Sequence, residues 1–445
     1  MLADRPSIFI AYDTDTRALN ARENTVMAKP PRRKENAMRI VVTGATGFVG
    51  RSLVPLLAQA GAQLLLVGRD RDALARLYPQ HAVCTYPFLA EKAKGFDMLV
   101  HLAVSNSNSG AGLAEYRAVN VVFTCEVAEM ARDAGIGRFV HISSSHALDA
   151  YNQSGYAISK REAAERLGSI VDLNVVNVYQ PLVYGQEWSG SFAWLNRLPH
   201  RPAKLLFRAL AALKPTVHIQ RLADFLLKLP QAPDTIASEF ILSEPQMENP
   251  WFLIPKRLID LGFAMSVIVL FWWLLALIWV AVRIQSPGPG IFAQTRIGKN
   301  GAEFACYKFR TMRTGTAQAG THEVAADAVT ALGRVLRRTK LDELPQIVNI
   351  MRNEVSLIGP RPCLPVQMEL IEARRQSGVL DIKPGISGLA QINGIDMSDP
   401  QRLATWDYRY MRLQSLFLDT RILVATLAGR GQGDRVGVAR KLSSS

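Results

Sequence analysis

Residues 39–67 read RIVVTGATGFVGRSLVPLLAQAGAQLLLV, an apolar run, a glycine-rich turn, a stretch with apolar residues at helical spacing, and a second apolar run. That order predicts strand, helix, strand, the opening of a parallel sheet. Further apolar runs, MLVHLAVS from Met98 and RFVHISSS from Arg138, extend it. From Leu261 to Val282 the pattern changes: LGFAMSVIVLFWWLLALIWVAV holds 22 positions without a charge, close to the roughly 20 residues that a bilayer's hydrocarbon core requires. Beyond it, short strand-like runs and a helix-like segment, GRVLRRTKLDELPQIVNIM, alternate with Gly- and Pro-rich turns. The pattern predicts a leader over 1–37, an α/β domain over 38–245, a linker with a membrane-embedded helix over 246–289, a small helix-rich α/β domain over 290–430 and a flexible tail over 431–445.

Charge sharpens this division. The net charge is +14, and residues 251–445 hold 25 Lys and Arg against 15 Asp and Glu, while residues 1–250 hold 27 against 23. The larger excess follows the apolar helix, and no stretch resembles a nucleic-acid module. Anionic lipid headgroups and pyrophosphates are therefore the expected partners, and nucleic acid is not. Lys256 and Arg257 precede the apolar window, and Arg283, Arg296, Lys299, Lys308, Arg310 and Arg313 follow it. Cations beside a membrane segment mark its cytoplasmic side. Both ends carry the mark, which puts a simple single crossing in question. Cys84, Cys125, Cys306 and Cys363 are scattered without CxxC spacing, which argues for a reducing compartment and against a metal cluster. Residues 1–37 lack the apolar core of a signal peptide, and Met38, just before the first strand, is a candidate start.

In the first domain Gly44, Gly47 and Gly50 open the helix with GxxGxxG spacing, which lets backbone amides approach a pyrophosphate at a helix N-terminus. The context of strand before and helix after predicts a dinucleotide cofactor, NAD(P), on a Rossmann-like sheet. Arg69, at the end of the second strand, would suit the 2′-phosphate of NADP; a solvated surface arginine is the alternative. Tyr156 and Lys160 stand four apart, on one face of a helix. A phenol near pKa 10 exchanges a proton at neutral pH only if a neighbouring cation stabilises the phenolate. Ser144, ending the RFVHISS run, can share that proton. TGATGFVG, LVHLA, the serine-ended strand, YAISK and QPLVYG resemble the extended short-chain dehydrogenase/reductase family over Met38–Ser243, specifically its nucleotide-sugar epimerases, dehydratases and ketoreductases. The resemblance implies Ser144, Tyr156 and Lys160 as the catalytic triad, with Asn120 in support. The chain departs from the family pattern in four ways. Only 12 positions separate Ser144 from Tyr156, Gln180 replaces an arginine, the carboxy-terminal substrate lobe is short and ends near Ser243, and Ser145 and His146 replace the Asp-Glu pair of the dehydratases. Dehydration is thereby disfavoured, leaving 4-ketoreductase or 4-epimerase, or a domain that binds nucleotide without turnover.

In the second domain Lys308, Arg310, Arg334, Arg337, Arg338 and Arg361 form a supply of phosphate-binding cations. Asp342 and Glu343 follow Thr339, which can cap a helix bearing both acids in its first turn, with Pro345 tolerated there. A well-capped surface helix is the plain reading. The functional one is a carboxylate that attacks phosphorus, beside a neighbour that holds Mg2+. KRLID, SPGPGIFAQTRIG, YKFRTM, LRRTKLDELPQIVNIMRNEVSLIGPRP and KPGISGLAQING resemble the bacterial sugar transferase family, the monotopic phosphoglycosyl transferases, over Lys256–Leu427. The resemblance implies that Asp342 attacks the β-phosphate of a UDP-sugar and expels UMP, and that Glu343, with Asp342, holds Mg2+. It implies further that Lys308 and Arg337 bind phosphates and that Pro360, Arg361 and Pro362 seat the nucleotide. Polyprenyl (undecaprenyl) phosphate then takes the sugar phosphate. Asp407 and Asp419 receive no role, and the RYMRLQSLFLDTRILVATLAG segment reads equally as an interfacial or a core helix.

The combined expectation is a bifunctional enzyme of the bacterial inner membrane, a homodimer among its allowed states, contacting membrane lipids with both soluble domains on the cytoplasmic face. Fusion would hold the product of one site near the other. Two rivals stand: an amino-terminal half that is only an assembly module, and a membrane-tethered redox sensor without transferase activity. Because cofactor, UDP-sugar and Mg2+ are all cytoplasmic, the apolar helix is expected to enter the membrane and return. The family breaks this helix with Ser-Pro, whereas this chain has Trp272 and Trp273 there.

Overall fold

The computed structural model describes residues 37–107, 110–188, 190–229, 238–313 and 328–431. The expected leader over 1–37 and tail over 431–445 lie almost wholly outside the described residues. The chain divides into two compact units, the first running to Ala211 and resuming over Pro215–Glu244, the second holding Ala212–Lys214 and the chain from Pro245 on.

The first unit is built on β1 (Arg39–Thr43), β2 (Gln63–Val67), β3 (Ala82–Cys84), β4 (Met98–His101), β5 (Arg138–Ser144), β6 (Asn174–Gln180), β7 (Leu182–Tyr184), β8 (Thr216–His218) and β9 (Glu239–Ile241). Seven form one sheet in the order β3-β2-β1-β4-β5-β6-β9, every pairing parallel. Successive side chains of a strand point to opposite faces. Ile40, Val42, Leu64 and Leu66 accordingly enter one core with Leu53 and Leu57 of α1 (Phe48–Gln59), while Val41, Leu65 and Val67 enter a second with Val127 and Leu167. Burial on both faces explains why the strands read as continuous apolar runs. The order reverses at β1, the switch point where doubly wound sheets bind ligands, and α2 (Gly155–Leu167) carries Tyr156 and Lys160. This is the expected Rossmann-like sheet.

The second unit begins with α3 (Pro250–Gln285), capped by Asn249 Oδ1 accepting from Trp251 N. Its most apolar window is only 17% buried, so it is no ordinary core helix. Straight, 36 residues would reach about 54 Å. Instead Phe271 leaves helical geometry at φ −121°, ψ 16°, and the Trp273 indole Nε1 donates to Leu270 O at 3.1 Å. A side chain entering the backbone ladder is one of the few causes of a sharp kink. The break therefore falls beside the tryptophans, without the family's proline.

Both limbs return to the same small body, made of the hairpin β10 (Ile291–Ile297) and β11 (Glu303–Phe309), the parallel pair β12 (Ser356–Ile358) and β13 (Gly385–Ser387), and α4 (Ala331–Thr339), α5 (Ile347–Met351), α6 (Met368–Gln376), α7 (Pro400–Leu413) and α8 (Leu416–Leu427). Ala264 and Val267 of the first limb pack with Ile347 and Ile350, and Ile278 and Val282 of the second with Phe309 and Leu336. Two of the flanking cations are engaged by the body itself. Lys256 donates to Ile358 O at 3.0 Å and pairs with Asp419, and Arg257 donates to Ile350 O and Met351 O. Asp260 accepts from Ser356 Oγ and Leu357 N. Helix α8 packs into the body through Ile422, which is fully buried, while Phe417, Val424 and Leu427 are exposed.

Asp407 also acquires a role. Its Oδ2 accepts from Arg374 Nε at 3.0 Å and from a terminal nitrogen at 2.6 Å, clasping α6 to α7 with both side chains 3% exposed. Removing one partner of such a pair strands a buried charge, at about 3–5 kcal/mol. Arg374→Met should destabilise the second unit by that amount in denaturant melts of the detergent-solubilised chain, and adding Asp407→Leu should recover most of the loss.

Candidate active sites

In the first unit, Gly44 sits at φ +73°, and a Cβ there would fall 2.6 Å from Ala103 N. A Cβ on Gly50 would fall 2.5 Å from Gly44 O. These two glycines permit the turn and the close seating of α1. Gly47, the residue before α1, would meet only Gly44 O, at 3.3 Å, which leaves the helix N-terminus open to an anion. Arg69 is exposed after β2, next to Asp70, whose carboxylate caps the following helix. Ser143 Oγ and both amide atoms of Gln180 are buried without a hydrogen-bond partner, at the carboxyl ends of β5 and β6. Orphaned buried polar groups call for an explanation, and a polar ligand at the switch edge supplies one. The cradle and these groups fit a dinucleotide.

Ser144 ends β5, and despite the short interval its hydroxyl hydrogen-bonds the Tyr156 phenol. Burial pushes that phenol up, with the Ser144 bond partly offsetting it. Lys160, 1% exposed, donates to Ile142 O at 3.3 Å and lies 3.5 Å from His141 Nε2; burial pushes its ammonium down to about 7. Asn120, in a π-helical turn over Ala118–Phe123, accepts from Ser105 N and donates to Ser105 O and Ser159 Oγ. It thus ties the loop after β4 to α2. Sequence reasoning missed a polar row across four strands. Thr43, His101, His141 and Asn177 are register neighbours on β1, β4, β5 and β6, with Thr43 Oγ1 and His101 Nδ1 2.9 Å apart and His141 Nδ1 and Asn177 Oδ1 2.9 Å apart. Burial, then the charge of Lys160, pushes His101 down to about 3 and His141 well below its usual value. The signal was a histidine at the same place in LVHLA and FVHIS, in otherwise apolar strands.

In the second unit, Thr339 does not cap a following helix. It ends α4, its hydroxyl donating back to Val335 O at 2.9 Å. Lys340 turns left-handed at φ 58°, and Asp342 and Glu343 lie on a 3-10 turn, Leu341–Gln346, that leads into α5. Capping logic failed because the hydroxyl found a nearer carbonyl one turn behind. Glu343 Oε1 accepts Lys308 Nζ from β11 at 2.7 Å and an Arg361 terminal nitrogen from the loop after β12 at 3.1 Å. Burial alone would raise Glu343, but these cations hold it well below the usual carboxylate range. No hydrogen bond or ion pair among the described residues holds the Asp342 carboxylate, which is 9% exposed. Burial, then the Glu343 charge, pushes it up to about 6, with Lys308, Arg337 and Arg361 partly offsetting.

The expected cation supply is thus divided. Lys308 and Arg361 face the carboxylates, and Arg337 acts on Asp342 by charge while its Nε donates to Thr311 Oγ1. Arg310 instead donates to Ser286 O at the end of α3, Arg334 to Val329 O, and Arg338 is exposed. Pro360 O accepts from Gly385 N, and Pro362 O accepts from Arg296. The loop that carries them is pressed against β13: a Cβ on Gly385 would sit 2.0 Å from Gly359 N. Among the described residues no group of three or more His, Cys, Asp or Glu could hold a metal. Mg2+ commonly takes one or two carboxylates, with substrate oxygens and water completing its shell. The unengaged Asp342 beside Glu343 fits that donor set.

Comparison with known proteins follows the same division. The family described as NAD dependent epimerase/dehydratase matches residues 40–241, and Bacterial sugar transferase matches residues 251–431. A UDP-glucose:undecaprenyl-phosphate glucose-1-phosphate transferase of Caulobacter vibrioides is 34% identical over 222 residues, 47% of this chain and 83% of that protein. A UDP-N-acetylgalactosamine-undecaprenyl-phosphate N-acetylgalactosaminephosphotransferase of Aeromonas hydrophila is 34% identical over 41% of this chain, which spans 44% of that relative's length. Among solved structures, a UDP-N-acetylglucosamine 4-epimerase from Bacillus cereus is 17% identical over 46% of this chain and 76% of that one, with a TM-score of 0.37. The chain belongs to the bacterial sugar transferase family and carries an amino-terminal domain of the NAD-dependent epimerase/dehydratase family.

Proposed function

We propose that the second unit transfers a sugar-1-phosphate from a UDP-sugar to undecaprenyl phosphate. The observation that carries this is the asymmetry of the acid pair, one carboxylate clamped by Lys308 and Arg361 and its neighbour buried, unengaged and nucleophilic once ionised. Asp342 attacks the β-phosphorus, the bond to the bridging oxygen breaks, and UMP leaves with the electron pair. A phosphate oxygen of the lipid carrier then attacks the same phosphorus, displacing Asp342. Lys308, Arg337 and Arg361 hold the phosphates, and Pro360 and Pro362 keep the nucleotide loop rigid. Bound Mg2+ would neutralise pyrophosphate charge beside Asp342 and Glu343. Leu344, adjacent to the acids, packs against the two apolar clusters that hold the limbs of α3, which places the nucleophile in the body that carries the apolar helix a lipid-borne acceptor requires. The helix enters the membrane and returns, with both units on the cytoplasmic face.

The first unit binds NAD(P) at Gly44, Gly47 and Gly50, with Arg69 beside the ribose, and reduces or epimerises a UDP-sugar at C4. NAD(P) would supply the hydride; Tyr156 moves the proton, Ser144 shares it and Lys160 supports the phenolate. One observation favours the assembly-module alternative. Lys160 Nζ donates to Ile142 O and lies beside His141 Nε2, and burial, the largest influence on both groups, pushes the Tyr156 phenol up and the Lys160 ammonium down.

UMP release from a panel of UDP-sugars tests the transferase. Asp342→Asn should abolish it, which would also exclude a tethered sensor, and wild-type release should fall as pH drops through about 6, where Asp342 takes up its proton. The same substitution has a stability consequence. An acid whose folded pKa exceeds its unfolded one binds its proton more tightly when folded, so ionised Asp342 costs stability above that pH and costs none below its ordinary value. Asp342→Asn should stabilise the metal-free chain near pH 8 by on the order of 3 kcal/mol, a gain that shrinks as pH falls through about 6 and vanishes below about pH 3 in denaturant melts. For the first unit, Tyr156→Phe should lower NAD(P)H turnover by about 100-fold or more with cofactor fluorescence titration unchanged. Unchanged turnover would favour the assembly module.

A further inference from the structure

Residues 188–223 contain Arg197, Arg201, Lys204, Arg208, Lys214 and Arg221 and no Asp or Glu. Outside this stretch the first 250 residues carry 21 Lys and Arg against 23 Asp and Glu, so the positive excess of that half is confined here. The stretch includes the helix His200–Ala211, which buries only a narrow stripe, Ala203, Phe207 and Ala211, against Trp188, Phe192 and Leu195. Outward it presents Leu205, 57% exposed, and Leu206, 38% exposed, and the preceding turn presents Trp194 and Leu198. Arg197, Arg201, Lys204 and Arg208 are exposed among them, and Arg221 pairs with Glu244 at 3.3 Å.

Exposed leucines and a tryptophan interleaved with cations, on a helix without an acid, form the pattern of an interfacial helix. The long side chains can lay their stems on apolar surface while their charges reach anionic headgroups. Charge complementarity selects the occupant: an apolar partner protein would not need four cations, and a free nucleotide would not need the leucines. We propose that this face of the epimerase-type unit docks on the anionic surface of the bilayer that holds α3, giving the chain a second, electrostatically controlled membrane contact. Each cation near such a surface contributes about a fivefold factor in the docked-to-undocked ratio, and that contribution falls with salt.

The test uses the full chain, reconstituted at one copy per nanodisc in phosphatidylcholine alone or mixed with phosphatidylglycerol. An environment-sensitive fluorophore is placed on Leu205→Cys, with Val171→Cys, 72% exposed on the same unit, as the control position. Emission at position 205 should shift to the blue and be quenched by spin-labelled lipid only in the anionic discs, with position 171 unaffected. The shift should be lost in about 0.5 M salt and in Arg201→Gln/Lys204→Gln, whose folding is checked by unchanged UMP release. An unshifted probe, an equal shift in neutral discs, or a shift that instead follows protein concentration in detergent and so reports a second copy would each overturn the proposal.

Discussion

The second unit depends on one constraint, that both limbs of a single apolar helix are fastened to the same small body. The first limb is held by polar contacts, Lys256 with Asp419 and Asp260 with β12, and the second by apolar packing of Ile278 and Val282. A helix fastened at both ends must break between them, and it breaks at Phe271. In a bilayer core no water can satisfy a carbonyl freed by a kink. The Trp273 indole N–H takes that of Leu270, so a side-chain donor satisfies the carbonyl at a break that has no proline.

From that constraint the site follows. The turn bearing Asp342 and Glu343 is seated through Leu344 on the two apolar clusters that hold the limbs, and β12, fixed by Asp260 and Lys256, leads directly into the loop carrying Arg361. The electrostatics then separate two adjacent acids. Glu343 takes the cations and stays ionised, while Asp342 bears the cost of burial beside a like charge. Such tension suits the nucleophilic role proposed for Asp342, a carboxylate held ready rather than satisfied.

The sheet was legible because its signals are local: a glycine turn between strand and helix, and strands apolar on both faces. Tyr156 and Lys160 were legible because four residues is one helical turn. The polar row of Thr43, His101, His141 and Asn177 was not, because it exists only once four strands distant in sequence lie in register. The Thr339 cap was misread because the hydroxyl had two local choices and took the carbonyl behind it. Among the cations, composition pointed to phosphate as the expected partner, but which arginine would instead close a carbonyl, as Arg310 does at Ser286, depends on tertiary contacts. Likewise Lys256 and Arg257 were legible as a basic flank, while their engagement with Asp419, Ile350 and Met351 required the folded body.

The claim that organises the rest is that α3 enters the bilayer and returns. Single cysteines near Asn249 and near Gln285, labelled with a membrane-impermeant thiol reagent in intact cells, test it directly. The account predicts that neither end reacts from outside and that both react once the membrane is permeabilised; reaction of one end alone from outside would establish a crossing and contradict it.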